Sequence, residues 1–155
     1  MSDAHDTRRA FLQHTGCLVL ALGLPREIWA LPVTTISGRA SGKTQSYPLP
    51  AADGVQIDYD AQVILVRSQN HVFAFNLSCP HEHAAVKWVA TDGRFQCTRH
   101  DSKYQPDGAY MSGRATRNLD RFAIRREGPS IVVDLDRLFQ SDKDAAGWAA
   151  ATISV

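Results

Sequence analysis

Two pairs of residues in this sequence combine side chains that bind soft transition metals. Cys79 and His81 flank one proline, and Cys97 and His100 flank Thr98 and Arg99, with fifteen residues between the two pairs. Thiolate sulfur and imidazole nitrogen suit zinc, copper and iron–sulfur centres. A structural zinc site also takes two Cys and two His, but it usually sets Cys near Cys and His near His, at separations of about two to five residues. Here each pair carries one sulfur and one nitrogen. That alternation suits a dinuclear centre whose two metals have different ligands, with each pair in its own short loop and the loops facing one another.

The wider pattern resembles the Rieske proteins, in which two thiolates hold one iron of a 2Fe-2S cluster and two imidazoles hold the other. On that resemblance Cys79, His81, Cys97 and His100 are the metal ligands. Ser102 and Tyr104 stand two and four positions after His100. Rieske proteins of cytochrome bc complexes carry there a serine that hydrogen-bonds a bridging sulfide and a tyrosine that hydrogen-bonds a ligand cysteine sulfur. The resemblance gives Ser102 and Tyr104 these cofactor-binding roles.

Two features depart from the bc pattern. Where bc-type proteins have two more cysteines, joined in a disulfide that braces the loops, this chain has Ala84 and Arg99. The third cysteine, Cys17, lies far upstream, so a chain cut beyond it keeps two ligand thiols and no internal disulfide. In this it is similar to Rieske ferredoxins, oxygenase domains and some arsenite-oxidase small subunits. The loop that reads Gly-Pro-Ala-Pro in bc-type relatives is here Gly113-Arg114-Ala115-Thr116-Arg117-Asn118-Leu119. Lacking both prolines, it is expected to be less rigid and more basic, with Arg114 and Arg117 available to carboxylates of a partner.

Strands must deliver these loops. Ala61 to Arg67 and Val72 to Leu77 are rich in β-branched and aromatic residues and are separated by Ser68-Gln69-Asn70-His71, which predicts a hairpin ending beside Cys79. Val86 to Ala90, the Thr91-Asp92-Gly93 turn and Arg94 to Cys97 form a second pair. Phe122 to Arg125 and Ile131 to Leu135 form a third around Glu127-Gly128-Pro129. From Arg137 to Gly147 a short helix or loop is expected, with Trp148 packing back. The chain is therefore mostly β. The resemblance implies an antiparallel β sandwich of the Rieske type, with a small cluster-binding subdomain at about residues 78–119. His83 and His71 fall outside the quartet and read as loop and turn residues.

At 155 residues, 44% hydrophobic and 21% charged, the chain has room for one core. Its 17 Lys+Arg nearly balance 16 Asp+Glu, so no global field favours nucleic acid. No fixed-period repeat is present, and the one small Gly/Ser-containing stretch runs from Ser37 to Ser46. Near the N-terminus, Thr7-Arg8-Arg9-Ala10-Phe11-Leu12-Gln13 precedes an apolar run from Cys17 to Leu24 and then Pro25-Arg26. This resembles a twin-arginine export signal, which implies a leader over residues 1–30, cut near Ala30, and a Rieske domain over 31–155. The apolar run is far shorter than the ~20 residues a membrane span needs. The twin-arginine route exports folded proteins whose cofactor is already inserted, which places the domain in the periplasm.

The expected function is one-electron transfer, as the small subunit or partner of a periplasmic oxidoreductase or a cytochrome chain. A molybdenum enzyme of the arsenite-oxidase kind is the first partner named by resemblance. No residue supplies substrate chemistry, so the chain reads as an electron-transfer subunit rather than a catalyst. The competing readings are the iron–sulfur subunit of a quinol-oxidising cytochrome bc-type complex, a Rieske ferredoxin of an oxygenase system, and a zinc-stabilised binding module. No nucleic-acid partner and no membrane span are expected.

Overall fold

The computed structural model describes residues 31–155; the leader expected over residues 1–30, with Arg8 and Arg9, lies outside the described residues. The first strands in chain order are β1 (Val33–Thr35), β2 (Arg39–Ser41), β3 (Thr44–Pro48), β4 (Gly54–Asp58), β5 (Val63–Ser68) and β6 (His71–Asn76). Four short strands follow, β7 (Val86–Val89), β8 (Arg94–Cys97), β9 (Lys103–Tyr104) and β10 (Tyr110–Ser112). The chain ends in β11 (Arg121–Glu127), β12 (Ser130–Phe139), the helix α1 (Ala145–Ala150) and β13 (Ile153–Ser154). Nine strands form one sheet, ordered β1-β4-β5-β6-β11-β12-β3-β2 with β13 on β6. The other four make a separate sheet, β10-β9-β8-β7, inserted between β6 and β11. The pairings are antiparallel except β1 on β4.

The expected hairpin is present as β5 and β6, in register from Val63↔Asn76 to Ser68↔His71. Its two-residue turn puts Gln69 and Asn70 at φ of 51° and 63°, the left-handed pair whose twist matches that of the flanking strands. Val63, Ile64, Leu65 and Val66 are all fully buried because both faces of β5 are covered. Val63 and Leu65 share one core with Val72, Ala74, Tyr47, Ile131 and Val133. Ile64 and Val66 share the other with Phe73, Phe75, Phe95, Trp88, Cys79 and Cys97. The nine-stranded sheet curls round the first core, and the second lies between this sheet and the four-stranded one.

Curling brings the distant strands β3 and β4 together at Asp58. Its carboxylate accepts hydrogen bonds from the Tyr47 hydroxyl (3.0 Å) and the Gly38, Asp60 and Ala61 amides (2.9, 3.0 and 2.9 Å). Burial alone pushes this carboxyl up, but the four donors outweigh it and hold it below the usual carboxylate range. Burial, reinforced by the Asp58 carboxylate, pushes the Tyr47 hydroxyl well above its ordinary value.

Two segments differ from expectation. Strand β12 runs on to Phe139, past the expected end at Leu135: after a bulge, Leu138 and Phe139 pair with Phe122 and Arg121. The helix therefore starts at Ala145, with the Asp144 side chain accepting from Gly147 N at 2.8 Å. Trp148 does pack back, donating its indole N–H to Leu119 O at 2.7 Å. The Gly/Ser stretch is the β2–β3 hairpin, turning at Gly42 with φ of 61°.

Candidate metal centre

Strand β6 ends in the first loop. There Cys79 N donates to Ala84 O (2.8 Å) and His83 N to Cys79 O (2.9 Å), closing a turn around Pro80, His81 and Glu82. His83 completes the reversal at φ of 56°. Strand β8 ends in the second loop, where Cys97 N donates to Ser102 O at 2.8 Å and Asp101 turns at φ of 61°. Thr98 joins the loops, since both its amide (3.0 Å) and its hydroxyl (2.9 Å) donate to Ala85 O. This cross-link lies next to Ala84 and Arg99, the positions that hold the bracing cysteines in bc-type proteins.

The two loops bring thiol to thiol and imidazole to imidazole. Cys79 and Cys97 are buried and neither is in a disulfide. Nδ1 of His81 and Nδ1 of His100 lie 3.2 Å apart, with the rings edge to face at 4.9 Å between centroids. The imidazoles remain partly exposed, at 24% and 19% of their side-chain surface, and their Nε2 atoms face the Glu82 carboxylate. Two sulfurs at the buried end and two converging nitrogens at the open end fit a 2Fe-2S cluster with a different ligand pair on each iron.

Electrostatics prepares the sulfurs unequally. Burial pushes the Cys79 thiol up, while the Tyr104 hydroxyl and the His81 amide pull the other way. Burial also acts against a thiolate at Cys97, but the His100 and Arg99 amides, the Cys79 thiol and the Arg99 charge outweigh it and leave this group below its ordinary value. The backbone of each loop thus directs N–H groups at its own cysteine, which favours the charged form a metal needs. Aromatic packing holds this end in place: Phe95 contacts Trp88 at 4.8 Å and Phe75 at 6.0 Å between ring centroids, both edge to face.

Tyr104 is fully buried, and its hydroxyl lies 3.2 Å from Cys79 Sγ. Burial pushes this hydroxyl far up, and Cys79 pushes it further while the Ser102 hydroxyl opposes, so Tyr104 keeps its proton to donate. Ser102 is also fully buried, and its Oγ accepts from Arg114 N (3.1 Å) and Ala115 N (3.0 Å).

The 113–119 loop is tied down more than its lack of proline predicts. Arg117 grips Asp120 through Nε and Nη2 (2.9 and 3.1 Å) with Asp142 nearby (3.6 Å). Asn118 accepts from Tyr110 N, and Leu119 N donates to Gly108 O, both at 2.9 Å. Arg117 is therefore engaged within the chain, whereas Arg114 is exposed.

Glu82 is a site residue that spacing did not single out. Its carboxylate oxygens lie 3.8 Å from His81 Nε2 and 3.4 Å from His100 Nε2, so one anion faces the outer nitrogens of both rings. Only folding of the two loops brings it there. His83 sits at the surface with Nδ1 3.4 Å from Ser78 Oγ, and His71 contacts Gln69 O at the hairpin turn.

Residues 42–123 match the family described as the Rieske [2Fe-2S] domain. A chloroplastic cytochrome b6-f complex iron-sulfur subunit of Bigelowiella natans is 31% identical over 61 residues, covering 39% of this chain and 24% of that protein. Cytochrome b6-f complex iron-sulfur subunit 1 of Nostoc sp. is 29% identical over 76 residues, covering 48% and 42%. The chain spans less than half the length of these curated relatives. The crystal structure of the cyanobacterial plasma membrane Rieske protein PetC3 from Synechocystis matches at 24% identity and a TM-score of 0.42, over 59% of this chain and 85% of that one. With more than half of its length matched to the family, the chain belongs to the Rieske [2Fe-2S] domain proteins, and its cofactor is a Rieske-type 2Fe-2S cluster.

Proposed function

We propose that this chain transfers single electrons through a cluster held by Cys79 and Cys97 on one iron and by Nδ1 of His81 and His100 on the other. The observation that supports the ligand assignment is the convergence of the two Nδ1 atoms at 3.2 Å, from the same two loops that carry the two buried thiols. When bound, the cluster takes up or gives back one electron without changing its ligands. The chain's own part is to exclude water from the sulfurs, to aim the Tyr104 hydroxyl at Cys79 Sγ, and to leave the imidazole edge open to a partner. Glu82 adds a fixed anion at that edge.

The partner is a larger redox subunit or a cytochrome. The b6-f names of the curated relatives support a cytochrome-containing complex. A molybdenum partner of the arsenite-oxidase kind rests on the leader pattern and on the absent disulfide. The leader also supports twin-arginine export of the 31–155 domain to the periplasm, and among the described residues no helix is long and apolar enough to cross a membrane. The deciding experiment is purification of the tagged chain from its native cells, with identification of bound proteins and their metals. Haem in the co-purified partner supports the cytochrome reading and molybdenum the other. A chain recovered alone, unable to exchange electrons with any c-type cytochrome, contradicts the function.

A further inference from the structure

Ser102 has more hydrogen-bonding partners than its expected role requires. A serine hydroxyl offers one donor and two acceptor sites, and here both acceptor sites are taken, by the amides of Arg114 (3.1 Å) and Ala115 (3.0 Å). The group is fully buried, so water does not compete. Only the proton is left to donate. Gly113 makes this possible: at φ of 109° it lies so close to the ligand loop that a Cβ would collide with Ser102 Cα and sit 2.9 Å from Ser102 N. The first of the two amide bonds also depends on the departure at Arg114. A proline there, as in the Gly-Pro-Ala-Pro loops, has no N–H to give.

We propose that Gly113 and the Arg114 and Ala115 amides form a clamp that fixes the direction of the Ser102 hydroxyl proton, and that Arg114 acts here through its backbone rather than its charge. With its oxygen saturated, the hydroxyl keeps one rotamer, whose proton faces away from the loop and toward the sulfur end of the site. The clamp rests on the cluster reading for its effect on potential but not for its existence. It sets one directed bond, from the Arg114 amide, where a proline would set ring rigidity, and it makes Arg114 a positioning residue.

The test compares Arg114→Pro, Arg114→Ala, Ser102→Ala and the double variant Ser102→Ala/Arg114→Pro, by voltammetry of cluster-loaded protein and amide exchange of residues 114 and 115. Arg114→Pro removes one clamp bond and is expected to favour the oxidised state at least threefold, a downward shift of about 28 mV at ~59 mV per tenfold change for one electron. Arg114→Ala, which keeps the amide, leaves the potential within a factor of about 1.5 in that ratio. In the Ser102→Ala background, Arg114→Pro has no further effect. The Arg114 and Ala115 amides are protected in wild type and exchange at least tenfold faster in Ser102→Ala, a comparison that stands even if Arg114→Pro fails to load its cluster. An equal shift from Arg114→Pro with and without Ser102, or amide exchange unchanged by Ser102→Ala, overturns the clamp. Wild-type protein that binds no 2Fe-2S cluster overturns the proposed function instead, while the exchange data still decide the clamp.

Discussion

Replacing Tyr104 with Phe removes one oxygen and leaves the rest of a fully buried ring in place, including its edge-to-face contact with Tyr110 at 6.2 Å. What is lost is the hydroxyl 3.2 Å from Cys79 Sγ. A hydrogen bond to a charged acceptor contributes roughly 1.5–3 kcal/mol, but the potential responds only to the difference between oxidation states. The reduced cluster carries one more negative charge, so the donor stabilises it more. If about half of such a bond is gained on reduction, the difference is near 1 kcal/mol, or roughly 30–60 mV at ~59 mV per tenfold change for one electron. Tyr104→Phe is therefore expected to lower the potential by that amount, with iron content and visible spectrum retained. Protein-film voltammetry at fixed pH reads this directly. An unchanged or raised potential in fully loaded Tyr104→Phe would refute the claim that the hydroxyl donates to a ligand sulfur.

Three further expectations follow from the scaffold and the leader. Asp58, held below the usual carboxylate range by four donors, contributes stability that is complete above its unfolded value of ~3.9 and is lost as pH falls through its lower folded value. Asp58→Asn sets an amide NH2 against donors and is expected to cost about 2–3 kcal/mol in urea unfolding at pH 7. It should also flatten the stability profile below pH ~4, and a profile identical to wild type there would count against Asp58 as the clasp between β3 and β4. Arg121 is buried under Trp148 (3.6 Å to the ring centroid) and Phe73 (4.6 Å), donates to Trp148 O (2.9 Å) and Asp107 O (2.7 Å), and burial lowers its pKa to about 10. Arg121→Ala leaves both carbonyls unpaired and empties the stack, at about 2–4 kcal/mol; a loss under ~0.5 kcal/mol would show that it does not join the cluster subdomain to the C-terminal segment. Arg8→Lys with Arg9→Lys is expected to hold folded, cluster-bearing precursor in the cytoplasm, and unchanged export in cell fractionation would remove the twin-arginine proposal.

Much of the scaffold was legible where strands carry apolar side chains. The β5–β6 and β7–β8 hairpins show it: Val63 to Val66 and Phe73 to Phe75 fill two cores, and turn residues mark their ends. Strands β2 and β3 escaped because Arg39-Ala40-Ser41, at the sheet edge, and Thr44-Gln45-Ser46, beside it, have no apolar period to read. The length of β12 was hidden by its bulge, which resets the pairing with β11 after Asp134. At the centre, residue type and spacing single out Cys79, His81, Cys97 and His100 as candidate ligands, because ligand chemistry restricts both, whereas Ser102 and Tyr104 enter only through the resemblance to Rieske proteins. Glu82 facing both imidazoles, the Thr98 cross-link to Ala85, and the two amides on Ser102 could not be picked out. Each arises from one loop folding over another, and any residue could have supplied the amides except proline.

A cluster bound by two sulfurs and two nitrogens from this chain has a distinct magnetic signature. Pulsed electron paramagnetic resonance of the dithionite-reduced protein, prepared anaerobically with two irons per chain and 15N-labelled histidine, tests it most directly. Two strongly coupled histidine nitrogens are expected, one of them lost or altered in any His81 or His100 variant that retains iron. A spectrum with no directly coupled nitrogen, or a preparation that holds zinc and no iron, would contradict it.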